Sequence, residues 1–187
     1  MSTRDFDPRS LPVEAFARQG GQLAGELAID ALDRLRDVQA TARDEPSAPV
    51  VRWIATGEWR AVRAGPAEIR LHLAADVALT LQCQRCLEGV AVDVKASRSF
   101  LFVHGEAQAA ALDEQTEDDV LPLARSLDLI GLVEDELLLA LPLVPRHVPT
   151  CPVPLPVPPI EISADAQEAS PFAALAALNR PGGGRLN

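Results

Sequence analysis

The sequence predicts an α+β protein: an antiparallel β-sheet with flanking helices and an extended Pro-rich C-terminal tail. Three observations carry this. Apolar residues fall on odd positions at Ile69, Leu71, Leu73, Val77, Leu79, Leu81 and Cys83, then on even positions at Val90, Val92, Val94, Phe100 and Phe102. Period-two alternation over such lengths marks strands with one buried face. Leu127, Ile130, Val133, Leu137 and Leu141 recur at helical spacing after Ser126, a good N-cap. Eight of the 18 residues from Pro142 to Pro159 are proline, and such a segment is extended and stiff. The expected division is a single α+β domain over 1–141 and a Pro-rich tail with a short terminal helix over 142–187.

Taken in order, Leu11 to Phe16 reads as a short strand or turn, and Gly20-Gly21 breaks the chain. Leu23, Leu27 and Ile29 alternate with polar or small residues, so a strand is expected over Gln22–Ile29. Asp30 is placed to cap a helix with Asp33 at its third position, carrying Leu32, Leu35 and Val38 inward and ending near Arg43. Glu45-Pro46-Ser47-Ala48-Pro49 connects it to a strand from Val50 to Val62, with Val51, Trp53 and Trp59 on one face. Gly57 marks a bend or tight turn within that strand. Ala64-Gly65-Pro66 turns the chain into the alternating stretch.

The parity of that stretch changes across Gln84-Arg85. A two-residue turn there pairs Cys83 with Cys86, Leu79 with Val90 and Val77 with Val92, all on one face. Gln-Arg is poor chemistry for such a turn, and Glu88 falls on the inward parity. A bulge at Glu88-Gly89, or a wider Cys-x-x-Cys knuckle, removes both conflicts. His104 to Asp119 has no period and reads as a mobile surface loop with room for a short helical turn. The helix Leu127 to Leu141 is apolar over more than half its circumference and is expected to pack on the sheet, with Glu134-Asp135-Glu136 toward water. Pro142 ends it. Ser170-Pro171 opens a short terminal helix with the stripe Phe172, Leu175 and Leu178.

The 187 residues, 48% of them hydrophobic, suffice for one core. The polar start is no signal peptide, and no apolar run approaches the roughly 18 residues of a membrane span. Three cysteines without an export signal point to the cytoplasm and reduced thiols. The net charge of −10 is unevenly placed. Residues 104–136 hold ten acids and one base, whereas 1–103 hold 14 acids and 13 bases. This excludes a strongly basic nucleic-acid-binding domain and favours a basic protein partner for the acidic segment.

Cys83-Gln84-Arg85-Cys86 has the bite of half a zinc site. His147 and Cys151, with three residues between them, offer the other half, giving three thiolates and one imidazole. The alternative is two small apolar side chains packed at a sheet end, with Cys151 an unrelated thiol. A redox dithiol fits less well, because the pair is not at a strand-to-helix junction. Consecutive carboxylates at Glu134, Asp135 and Glu136 point about 100° apart on a helix and do not converge on one substrate. His72 and His104 have no nucleophile at recognisable spacing, and neither a phosphate-cradling Gly loop nor a hydrolase or metalloprotease motif is present. No catalytic residue is therefore expected. Arg52, Arg60 and Arg70 share the outward face with Glu58, Glu68 and Asp76 and read as solvated, while Arg98 falls on the inward parity.

Four pieces of the chain resemble the YceD family, bacterial proteins named for large ribosomal RNA subunit accumulation. They are the stretch from Leu79 to Leu87 with Cys83-Gln84-Arg85-Cys86; Leu127-Asp128-Leu129 with Leu132 to Pro142; Val144-Pro145-Arg146-His147 with Cys151; and Ser170-Pro171-Phe172 to Leu178. They occur in family order from about residue 79 onward. The resemblance implies a non-catalytic ribosome-biogenesis factor in synthesis, processing or stability of large-subunit (23S) ribosomal RNA, with proteins of that pathway as partners. Two other readings stay open: a zinc-dependent or thiol enzyme acting on RNA, and a structural partner of one ribosomal protein.

Overall fold

A computed structural model describes residues 6–40, 48–63, 65–116 and 118–153. They form α1 (Val13–Arg18), β1 (Gln22–Ala28), a 3-10 turn (Ile29–Ala31), α2 (Asp33–Asp37), β2 (Val50–Arg60), β3 (Glu68–Gln82), β4 (Gly89–Val103), α3 (Glu106–Asp113), β5 (Asp119–Pro122) and α4 (Leu129–Leu139). The strands make one sheet in chain order. β1 to β4 are antiparallel neighbours, and β5 runs parallel to β4. The α+β class is the expected one. The Pro-rich run beyond residue 153 and the helix expected at Ser170 lie outside the described residues, as do 41–47 before β2.

One face of the sheet carries the core. Val51, Trp53 and Ala55 of β2, the odd residues of β3, and Val94, Phe100 and Phe102 of β4 are buried there. Phe16 of α1, Leu32 and Leu35 around α2, and Ile130, Val133 and Leu137 of α4 close over them. The parity read from the alternation therefore selects the buried face correctly. On the opposite face a small second cluster of Leu101, Ala109 and Val120 seats α3 over the β4–β5 end of the sheet. A parallel strand needs a crossover, and α3 is that crossover.

Several local expectations are corrected. Leu11 to Phe16 is not a strand: Pro12 precedes helix α1, whose Val13, Phe16 and Ala17 point inward at helical spacing. Phe16 meets Phe6 edge-on at 5.2 Å between ring centroids. Gly57 does not bend β2, for it pairs with Leu71 in an unbroken ladder. It is there because α1 lies on it. A Cβ at Gly57 would sit 2.7 Å from the Phe16 ring and 2.8 Å from the Ala17 Cα.

The helix expected after Asp30 is only the five residues of α2, and Leu32, not Asp30, precedes it. Val38 is 39% exposed rather than inward. The loop expected over His104 to Asp119 contains α3, and β5 begins at its end. Its buried residues are few and far apart, so no period showed. Helix α4 begins after Asp128, whose carboxylate accepts the Gly131 N–H at 3.0 Å, so Ser126 is not its cap. Among the described residues no helix is long and apolar enough to cross a membrane.

The largest correction concerns the acidic run. Glu134 and Glu136 are buried, at 8% and 7% exposure, not turned to water. Glu134 accepts the backbone N–H groups of Arg34 at 2.8 Å and Leu35 at 3.1 Å, and the Arg34 guanidinium at 2.8 Å. It thereby caps the first turn of α2 from a hundred residues away. Glu136 pairs with Arg98 at 3.3 Å. Arg98 is opposite Leu73 in the ladder, on the core side, as its parity implied.

Candidate metal centre

The β3–β4 hairpin builds the site. Its ladder pairs Gln82 with Gly89, Leu81 with Val90, Leu79 with Val92 and Val77 with Val94. The two-residue turn pairing Cys83 with Cys86 is therefore wrong by two residues. A shift of two keeps every side chain on its face, which is why the parity survives. The wider knuckle is what forms. The Cys83 N–H donates to the Glu88 carbonyl at 2.8 Å, and the Leu87 N–H donates to the Cys83 carbonyl at 2.9 Å. Leu87 takes the left-handed conformation, φ 65°, that closes the knuckle. No bulge at Glu88-Gly89 is needed.

Residues 145–151 return to this tip. The Gln84 N–H donates to the Pro145 carbonyl at 2.9 Å. His147 Nε2 lies 3.0 Å from the Gly89 carbonyl, and Nδ1 lies 3.5 Å from Cys86 Sγ. The carbonyl can only accept, so Nε2 carries the proton and Nδ1 presents its lone pair to the cluster. Cys83 Sγ and Cys151 Sγ are 3.8 Å apart, and Arg85 Nε donates to Cys151 Sγ at 3.0 Å. One ligand atom from each of Cys83, Cys86, His147 and Cys151 lies within 4.8 Å of every other. The three cysteines are unbridged thiols.

This group can hold a metal ion. Ligands tetrahedrally placed about 2.3 Å from a zinc ion sit roughly 3.8 Å from one another, the scale of the sulfur spacing here. Burial pushes the Cys83 thiol up, but hydrogen bonds from the backbone at Cys86, Arg85 and His147 outweigh it and bring it down to about 5. Burial instead dominates at Cys86 and raises it. Hydrogen bonding to Cys83 raises His147 against the opposing effect of burial. The sequence placed all four residues as candidates. It missed Arg85, whose only signal was a cation inside the Cys-x-x-Cys spacing.

The other weighed residues lie apart from this centre. Arg52 pairs with Asp76, Arg60 with Glu68, and Arg70 with both Glu68 and Asp118. The guanidiniums of the outward sheet face are thus engaged by carboxylates. His72 does have a hydroxyl beside it: Nδ1 is 2.7 Å from Ser99 Oγ, and Nε2 is 3.0 Å from Glu58. These three lie in a row across β4, β3 and β2, and the strand N–H groups point along the sheet plane, away from Ser99 Oγ.

Fold and site together define an α+β protein with a Cys3His cluster at a hairpin tip. The chain belongs to the YceD family. Residues 71–179, more than half of its 187, match the family described as "Large ribosomal RNA subunit accumulation protein YceD". A protein of that name from Haemophilus influenzae is 43% identical over 67 residues, which make up 36% of this chain and 38% of that protein. The matched stretch thus spans well under half of that relative. No solved structure matches.

Proposed function

We propose that this protein is a non-catalytic factor in the synthesis, processing or stability of large-subunit (23S) ribosomal RNA, working in the cytoplasm as an adaptor for proteins of that pathway. The observation that carries the reading is the family match over residues 71–179, which contains Cys83, Cys86, His147 and Cys151. Deleting the gene should lower large-subunit RNA relative to small-subunit RNA, and the full chain should restore it. Unchanged RNA ratios in the deletion strain would remove the proposal. Pull-down with and without ribonuclease separates protein contact from RNA contact, and a ribonuclease-resistant basic partner is expected.

Zinc is the metal this centre fits best, with three thiolates and one imidazole in a closed set. Four protein ligands would leave no open position for water or substrate, so a zinc held there would be structural, which speaks against the enzyme reading. Such a zinc would link the β3–β4 hairpin tip to the segment carrying His147 and Cys151. Protein purified without chelator should carry about one zinc per chain, and Cys83→Ser should lose it. Elemental analysis finding no metal would leave the four residues as packing and hydrogen-bonding groups.

A further inference from the structure

An open groove of about 530 Å³ lies between α4 and the β5 edge of the sheet. Its apolar lining is Phe100, Leu121, Leu132, Leu138 and Leu139, and Leu139 is 74% exposed. Asp119, Asp135 and Glu136 line it as well, and Arg34 is the one cation among them. Arg34 is held by Glu134 and Asp135, and Arg98 by Glu136 and Asp119. Three carboxylates and one guanidinium therefore line the apolar floor, and the excess is negative.

The geometry points to this groove as the docking site for a basic amphipathic protein segment, one that sets leucine-like side chains on the floor and lysine or arginine at the rim. This inference rests on the proposed reading of the protein as an adaptor. Charge complementarity selects the occupant. Phosphate backbones and anionic lipid surfaces are repelled by the excess carboxylate. A second copy would bring the same charge, −10 per chain, toward the groove. A helix with apolar anchors at i, i+3, i+4 and i+7 suits a groove of this kind, and basic residues on its flanks would complete the two partly compensated ion pairs. Asp119 and Asp135 are the accessible members of that rim: their side chains are 49% and 50% exposed, so an incoming cation has carboxylates to meet.

The test uses the full chain and a fluorescent peptide of about four helical turns, built of leucine and lysine at helical spacing. A companion peptide has every leucine replaced by serine at unchanged charge. Leu139→Arg should weaken binding of the first peptide by about tenfold or more, and the pair Asp119→Asn with Asp135→Asn should do likewise. The control pair Glu106→Gln with Glu114→Gln removes the same charge from the same acidic segment, outside the groove, and should change binding by less than about twofold. Thermal midpoints near that of the wild type certify that the variants fold. Equal losses from both pairs, or equal binding of the serine peptide, would mean bulk charge and overturn the groove. Self-association of the wild type in sedimentation, lost in Leu139→Arg, would assign the groove to a second copy and overturn the basic partner.

A cellular arm separates this inference from the adaptor reading. In ribonuclease-treated pull-downs the wild-type chain should retain basic large-subunit proteins, and Leu139→Arg should lose them. Retention by both would sink the groove and leave the adaptor reading standing. Retention by neither would sink the adaptor reading.

Discussion

Glu134 and Glu136 are two residues apart on one helix, both buried, and opposite in effect. At Glu134 burial pushes the carboxyl up, but the Leu35 N–H and the Arg34 side chain and N–H outweigh it, and the carboxyl is held below its ordinary range. A lowered folded value means that its contribution to stability is present above about pH 4 and drains away as pH falls through the lower folded value. At Glu136 burial wins over Arg98, Asp119 adds repulsion, and the carboxyl is raised. Its ionisation therefore weighs against the fold as pH rises through that raised value. Glu134→Gln should cost about 1–3 kcal/mol near neutral pH, because buried N–H groups lose a charged acceptor. The cost should shrink as the pH is lowered toward about 3. Glu136→Gln should be as stable as the wild type near neutral pH, or more so. Denaturant titrations across this range decide it, and equal destabilisation by the two variants would contradict the contrast.

Among the elements, α4 and α1 hold the sheet from one side. Leu137 is fully buried under α4, so Leu137→Ala should destabilise by about 2–5 kcal/mol. An unchanged thermal midpoint would show that α4 does not dock as described. The α1 contact has its own probe. Gly57→Ala places a methyl against both the Phe16 ring and the α1 backbone, and backbone cannot rotate away. A loss of about 1–3 kcal/mol is expected. Gly65→Ala is the comparison, since nothing lies near that position and little change should follow. A Gly57→Ala variant as stable as the Gly65→Ala variant would argue that α1 does not lie on β2.

At the scale of the whole molecule, the Cys3His cluster brings residues 145–151 to the hairpin tip, which the sequence separates by some sixty positions. If the cluster holds zinc, as proposed, its removal with a chelator should loosen both partners together. Hydrogen exchange should speed up at Gln84, Leu87 and Cys83, whose N–H groups are tied down at this tip, while β2 and the middle of β3 stay protected. Uniform loosening of the whole sheet would show that the metal supports the fold globally. No change at all would place the metal elsewhere. The uneven charge acts at the same scale: partner association should slow as salt rises, because the acid excess of residues 104–136 is screened.

Legible in the chain alone were the class, the buried face of each long strand, the docking helix and the four Cys and His residues that the fold brings within 4.8 Å of one another. These are periodic or motif signals, and period and spacing are properties of the chain alone. Tertiary structure decided what depended on distant partners. Glu134 read as solvated because nothing near it in sequence reveals that α2 needs its first N–H groups capped, a hundred residues earlier. Gly57 read as a bend because its real cause, the approach of α1, is not local. β5 went unseen because four residues show no alternation, and pairing with Phe100 to Val103 is what makes them a strand. The hairpin register was wrong by two because face parity is blind to even shifts, and only the hydrogen bonds of the knuckle, with Leu87 at positive φ, select the wider loop.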